Sequence, residues 1–260
     1  MAIVHLDAHA HLYDSYSLSK WARVAVSNLR GAALDVTPVV IVVDREGQNS
    51  FERFRREALG WHEVCEGRVG IYQEGDSDLL VIRGAQYVAQ EKIEVLALGS
   101  CRMGLEGRCA GDIVSAVRDA GGIPCLPWSP GKWLGTRGKV VKRLLEQDTP
   151  QDLSVGDVAI RSSLGPPSSL LARARTLGYR VFYGSDPLPF DGEEALVGSF
   201  GQEFEIEGSC SIDLLAEMVL ERLREPGYRF APYGRRNCAT QAFRRFVVSN
   251  ISRPAVGVAN

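Results

Sequence analysis

Long apolar runs are missing from this 260-residue chain. The longest clean one, Pro38 to Val43, is far too short to cross a bilayer as a helix. Met1 leads straight into a strand-like run rather than a basic segment and an apolar stretch. No secretory signal is therefore expected, and a cytoplasmic location is. Cys-x-x-Cys pairs are absent. The six cysteines (Cys65, Cys101, Cys109, Cys125, Cys210, Cys238) stand apart and are expected to be reduced thiols. A strong charge of either sign is lacking too. The formal net charge is −2, which argues against bulk attraction to nucleic acid or to an anionic membrane. There is no internal repeat and no low-complexity tract. The Gly-x-Gly-x-x-Gly signature of dinucleotide folds is also absent, which disfavours an open doubly wound sheet. Histidine is scarce at four residues, so the position of each one is informative.

What is present is an ordinary globular composition, 45% apolar and 24% charged, in a chain long enough for a substantial core. Short runs rich in Val, Ile and Leu predict strands at Ile3–Asp7, Val39–Val43, Val69–Tyr72, Leu79–Arg83, Glu94–Leu98, Ile123–Leu126, Asp157–Ile160 and Arg180–Tyr183. Between them, helical patterns cover Leu18–Leu29, Ser50–Leu59, Ile113–Ala120, Lys132–Glu146 and Ser168–Leu177. Strands without strict alternation have both faces buried, as in a parallel sheet. About seven strand-and-helix units point to an α/β fold, a distorted (β/α)7 TIM-like barrel over residues 1–190, with an open sheet as runner-up. Residues 191–260 break the rhythm. They read as a C-terminal extension packed on the barrel, with an irregular or short-stranded stretch and helices at Ile212–Leu223 and Ala239–Val248.

Three of the four histidines lie in Ile3-Val4-His5-Leu6-Asp7-Ala8-His9-Ala10-His11. A strand has a side-chain period of two, so His5, Asp7 and His9, with His11 next in line, are expected on one face. Val4, Leu6 and Ala8 would then form the other. In barrels of this kind, chemistry gathers at the carboxyl ends of the strands. The ends here carry Asp7, His9, His11 and Asp14, then Asp44, Gln86 and Glu94, then Trp128, Arg161 and finally Asp186. Imidazoles and carboxylates at several ends are the make-up of a metal site. Simpler readings stand beside this one. His5 suits a buried, hydrogen-bonded place in the lumen, and His62 a helical surface. Asp44 suits a helix cap or turn, and Asp186 a turn. The five positive charges of Lys132, Arg137, Lys139, Lys142 and Arg143 suit either a phosphate or a solvated helix face.

Asp7-Ala8-His9-Ala10-His11 resembles the opening motif of the polymerase-and-histidinol-phosphatase (PHP) family, close to the amidohydrolase barrels. Gly84-Ala85-Gln86 is similar to its Gly-x-Glu, Glu94-Val95-Leu96 to its His-x-Leu, and Gly121-Gly122-Ile123-Pro124-Cys125-Leu126-Pro127-Trp128 to its Gly-Gly-x-x-His-Pro segment. Gly184-Ser185-Asp186-Pro187 is similar to its terminal Gly-Ser-Asp-x-His. The resemblance spans residues 1–190. Its departures are Gln86 for glutamate, Glu94 and Trp128 for histidines, and no final histidine. The family's cluster of two or three metals therefore lacks its usual ligands here.

The resemblance implies a metal-dependent hydrolase of a phosphoester or, less favoured, an amide, with a small-molecule substrate. One divalent metal ion (zinc, manganese or magnesium) would be held by His9, His11 and Asp186, with Gln86 adding a neutral oxygen. Asp7 would orient the site or bind weakly, and Asp14 or Glu94 would accept a proton. The rival is a degenerate barrel that binds a small molecule or partner protein without catalysis. There Trp128 would wall off the cavity and Asp186 would pair with Arg161, a lysine or a histidine. A minor third option is an iron enzyme using two histidines and one carboxylate.

Overall fold

The apolar runs form strands whose two faces are both covered. The computed structural model describes residues 1–32, 35–65, 67–75, 77–129, 131–161, 168–208 and 211–251. Its elements are β1 (Ala2–Ala10), α1 (Leu18–Arg30), β2 (Val36–Asp44), α2 (Ser50–Glu57), β3 (Trp61–Val64), β4 (Val69–Glu74), β5 (Ser77–Val88), β6 (Glu94–Leu98), α3 (Ala110–Asp119) and β7 (Ile123–Pro127). Then come α4 (Gly135–Gln147), β8 (Ser154–Val158), α5 (Ser169–Thr176), β9 (Val181–Gly184), β10 (Phe200–Ile206), α6 (Ile212–Arg224), β11 (Ala231–Gly234) and α7 (Ala239–Ile251).

One sheet runs β11-β10-β1-β2-β5-β6-β7-β8-β9, with the β3–β4 hairpin beside β5. It curls into a nearly closed α/β barrel. Inside, Val4, Leu6 and Ala8 meet Val39, Ile41, Val43, Leu80, Ile82, Leu96 and Leu98. Leu215, Ala216, Val219, Leu220 and Leu223 of α6 join the same core. Outside, Val40 and Val42 pack with Trp21, Ala22, Ala25 and Phe54 of α1 and α2.

The sheet is mixed where the sequence predicts a parallel one. β1, β2 and β5 are parallel, as are β7, β8 and β9, but β6 runs against both of its neighbours. The reason is length. β5 continues to Val88, and the link to Glu94 is only Ala89–Ile93, too short for a parallel crossover. The reversal puts the start of β6 beside the end of β5, with Val88 opposite Glu94.

Other predicted elements shift. Trp61–Glu63 belongs to strand β3, not a helix, and His62 is an exposed strand residue 3.6 Å from Asp213. Helix α4 begins at Gly135, which leaves Lys132 outside it. The strand expected at Asp157–Ile160 is Ser154–Val158. The tail enters the wall itself, because β10 pairs antiparallel with β1, Ala2 opposite Ile206. Among the described residues, Cys101, Cys109, Cys125 and Cys238 are free thiols; Cys210 lies outside these residues. No helix among these residues is long and apolar enough to cross a membrane.

Candidate metal centre

The histidine strand does not keep one face. Its register against β2 runs Asp7 opposite Val40, then Ala10 opposite Val42, so β1 carries one extra residue. A bulge of this kind inverts the alternation. Val4, Leu6 and Ala8 face the inner core, whereas Ala10 and Leu12 pack outside with α1. His5 and Asp7 are thereby parted from His11. His5 is buried, but toward α1 and not in the lumen. Its Nδ1 donates to Leu29 O, Nε2 lies 2.8 Å from Glu203 Oε2, and the ring stacks on Tyr233 at 3.7 Å.

Beyond the bulge, His9 and His11 meet at the ends of β1, β5 and β9. His11 Nδ1 donates to Val43 O at 2.9 Å, which fixes the ring and leaves the Nε2 lone pair for a ligand. Burial, then the His9 and Arg45 charges, push the His11 pKa well below its ordinary value, so the ring is neutral at pH 7. Asp186 follows β9 with φ at +48°, a left-handed conformation that aspartate tolerates better than most residues. Its N–H donates to His9 O at 2.8 Å. Burial alone would raise its carboxyl. The neighbouring His9 and His11, with Arg245 and Arg45, outweigh burial and hold it below the usual range.

The three side chains form one group. His9 Nε2 is 3.2 Å from His11 Nε2, and each is 3.6 Å from Asp186 Oδ1. Ligands about 2.1 Å from a tetrahedral ion sit about 3.4 Å apart, so the spacing fits one metal ion. A fourth atom is at hand, since Gln86 Oε1 lies 3.1 Å from His9 Nε2. His9 Nδ1 is buried without a partner among the described residues. Gln86 Nε2 donates to Glu94 Oε1 at 3.1 Å, and the same oxygen takes the Lys132 ammonium. A second ion beside Glu94 would have to displace Lys132.

No protein-family model and no curated protein matches this chain. Solved structures do. PsfC from Pseudomonas syringae aligns with a TM-score of 0.59 at 17% identity, over 96% of this chain and 98% of its own. The lesion-specific endonuclease PfuEndoQ from Pyrococcus furiosus aligns at 0.51 and 12%, over 89% of this chain but 59% of its own length. A two-domain Bacteroides vulgatus protein containing a predicted PHP-like metal-dependent phosphoesterase aligns more weakly, at 0.44 and 13%, over 71% of this chain and 52% of its own. The chain shares an α/β barrel fold with PsfC and PfuEndoQ. At these identities the likeness is one of fold, so the chemistry of this barrel rests on its own residues.

The other predicted site residues lie elsewhere. Asp7 is fully buried outside the three-ligand group. It accepts from His9 N (3.1 Å), Ser185 N (3.0 Å), Ser185 Oγ (2.5 Å) and Gly198 N (2.9 Å), tying β1 to β9 and to the turn before β10. Burial raises its pKa, and these four donors only partly offset that. Asp14 is exposed between β1 and α1. Asp44 accepts from Ser50 N, the first N–H of α2, at 3.0 Å, while Asn49 is the N-cap residue. Arg161 does not pair with Asp186; it clamps Asp157 at 2.8 and 2.9 Å. Trp128 is half-buried against the apolar cluster that includes Leu126 and Val155. Of the basic segment, Arg143 and Lys142 lie 3.9 Å from Glu91 and Glu146 on the α4 surface.

Sequence reasoning missed three neighbours of this side-chain group. The Tyr13 hydroxyl is buried without a hydrogen-bond partner among the described residues, and its ring lies 5.3 Å from that of His11. Arg45 stands over the Tyr13 ring at 5.7 Å. Arg245 donates to Asp186 O at 2.6 Å. The signal for Tyr13 was available, because it continues the His9, His11 spacing by one more step of two.

Proposed function

We propose that this chain is a phosphoester hydrolase dependent on one divalent metal ion held by His9, His11 and Asp186, with a small-molecule substrate. The observation that carries this is the mutual spacing of three ligand atoms at 3.2, 3.6 and 3.6 Å. Two imidazoles and a carboxylate suit zinc or manganese better than magnesium. When bound, such an ion lowers the pKa of a water toward ~7 and polarises a substrate oxygen. The chain's residues supply the rest. Val43 O fixes the His11 ring so that Nε2 faces the ion, burial keeps that ring neutral, and Asp186 brings the negative charge. Glu94 is the proton acceptor and is positioned by Gln86. Tyr13 offers an O–H donor. Arg45, which makes no ion pair among the described residues, offers its cation to a phosphate; an amide would not call for that charge.

The test is calorimetric titration of metal-free protein with Zn²⁺ and Mn²⁺, followed by turnover of p-nitrophenyl phosphate. One ion per chain and measurable hydrolysis are expected, with both lost in the His9→Ala plus His11→Ala double variant. Failure of stoichiometric binding, or binding unchanged by that variant, overturns the proposal. The Lys132–Glu94 ion pair favours a second reading, a non-catalytic binding barrel whose cavity charge is met by its own lysine. That reading expects no metal in the same titration.

A further inference from the structure

Arg180 precedes β9 and Asp186 follows it, so the strand has the metal centre at one end and a second feature at the other. Helix α5, the start of β9 and the segment 227–230 enclose a cavity of about 170 Å³. Arg175, Arg180, Arg229, Tyr183, Tyr228 and Phe230 line it, and no carboxylate does. Arg180 is the telling residue. It is 4% exposed, yet no carboxylate pairs with it among the described residues. Its Nη1 donates to Leu223 O at 2.9 Å and Nη2 to Gln151 O at 3.0 Å, while Nε is buried with no partner. Asp152 pulls on Arg180 through space but lies 3.8 Å from Arg118 instead. A guanidinium held away from water by carbonyl dipoles alone is an uncompensated charge, which proteins seldom keep without a partner.

The neighbouring arginines do not repair the balance. Arg175 Nη2 donates to Asp157 Oδ2 at 3.0 Å, but that fully buried carboxylate also takes Arg161 at 2.8 Å and Arg236 at 2.7 Å. Three cations therefore share one anion. Arg229 stands exposed at the rim and makes no ion pair among the described residues. Planar guanidinium forks and phenolic O–H groups around a small cavity match the oxygens of a tetrahedral oxyanion.

We propose that this cavity binds an anion of the phosphate class, free or as a phosphomonoester, at a site separate from the metal centre. The site rests on its own residues and stands or falls independently of the hydrolase reading. The experiment is calorimetric titration of metal-free protein at low ionic strength with inorganic phosphate and, in a second arm, glycerol 3-phosphate. One saturable site per chain is expected in at least one arm, and the arm that binds tighter identifies the source. Arg229→Ala, a change at the exposed rim that leaves the core untouched, should weaken binding at least tenfold. Arg180→Met should abolish it, with circular dichroism checking its fold. His11→Ala should leave it unchanged. No saturable binding in either arm, binding indifferent to Arg229→Ala, or binding lost in His11→Ala would each overturn the proposal.

Discussion

His11 shows how much one residue carries. Val43 O orients its ring, while burial and then the His9 and Arg45 charges keep it neutral, with a pKa below the ordinary imidazole value. The sign of the consequence follows from linkage. Above about pH 6.5 both folded and unfolded forms are neutral and the contribution of His11 to stability is complete. As pH falls below that value, the unfolded chain takes up a proton that the folded chain refuses, so stability is lost toward the folded pKa. In metal-free protein, urea midpoints measured from pH 8 to pH 5 should fall below pH 6.5, by at most about 1.4 kcal/mol per pH unit from this residue. His11→Asn should flatten that part of the curve. At this scale the convergent trio was legible in the sequence, since His9, His11 and Asp186 are chemistry at strand ends and the structure brings them together. Lys132 as partner of Glu94 was not. Its placement depends on α4 beginning three residues later than the charge pattern predicts.

The element that decides the site is β9 where it meets β1. A Cβ on Gly184 would lie 2.5 Å from both the Cβ and the backbone N of His9. Only a glycine lets the two strands approach closely enough for Asp186 to reach both imidazoles. Gly184→Ala should cost about 1–3 kcal/mol of stability by overpacking. It should also weaken metal affinity at least tenfold, read by thermal melts and calorimetry on one preparation. Strand positions were mostly visible from apolar runs, but direction and register were not. The β1 bulge leaves no mark in composition, and it separates Asp7 from the histidines that share its spacing. Arg83 was the predicted end of β5, and that early stop hid the hairpin that reverses β6.

At the scale of the whole molecule, the tail is structural. Strand β10 covers the edge of β1, and α6 fills the inner core with Leu215, Val219 and Leu223. A chain cut after Phe190 would expose an unpaired strand edge and the apolar interior. It should aggregate or lack a cooperative melt, whereas the intact chain should melt in one transition; size-exclusion chromatography and calorimetry distinguish these. The change of rhythm after Phe190 was plain in the sequence. Membership of β10 in the barrel wall was not, because its partner, β1, lies at the far end of the chain.

That separation has a consequence for how the protein is made. The Asp7 carboxylate meets Ser185 across 178 positions and Gly198 across 191. On the ribosome, the two histidines emerge well over a hundred residues before the aspartate that completes their trio. Contacts this distant form late in folding. A nascent chain thus offers no finished ligand set to a passing ion. Under the proposed function, the metal is chosen after synthesis, by the geometry of the closed barrel and not by the exposed histidines of an unfinished peptide.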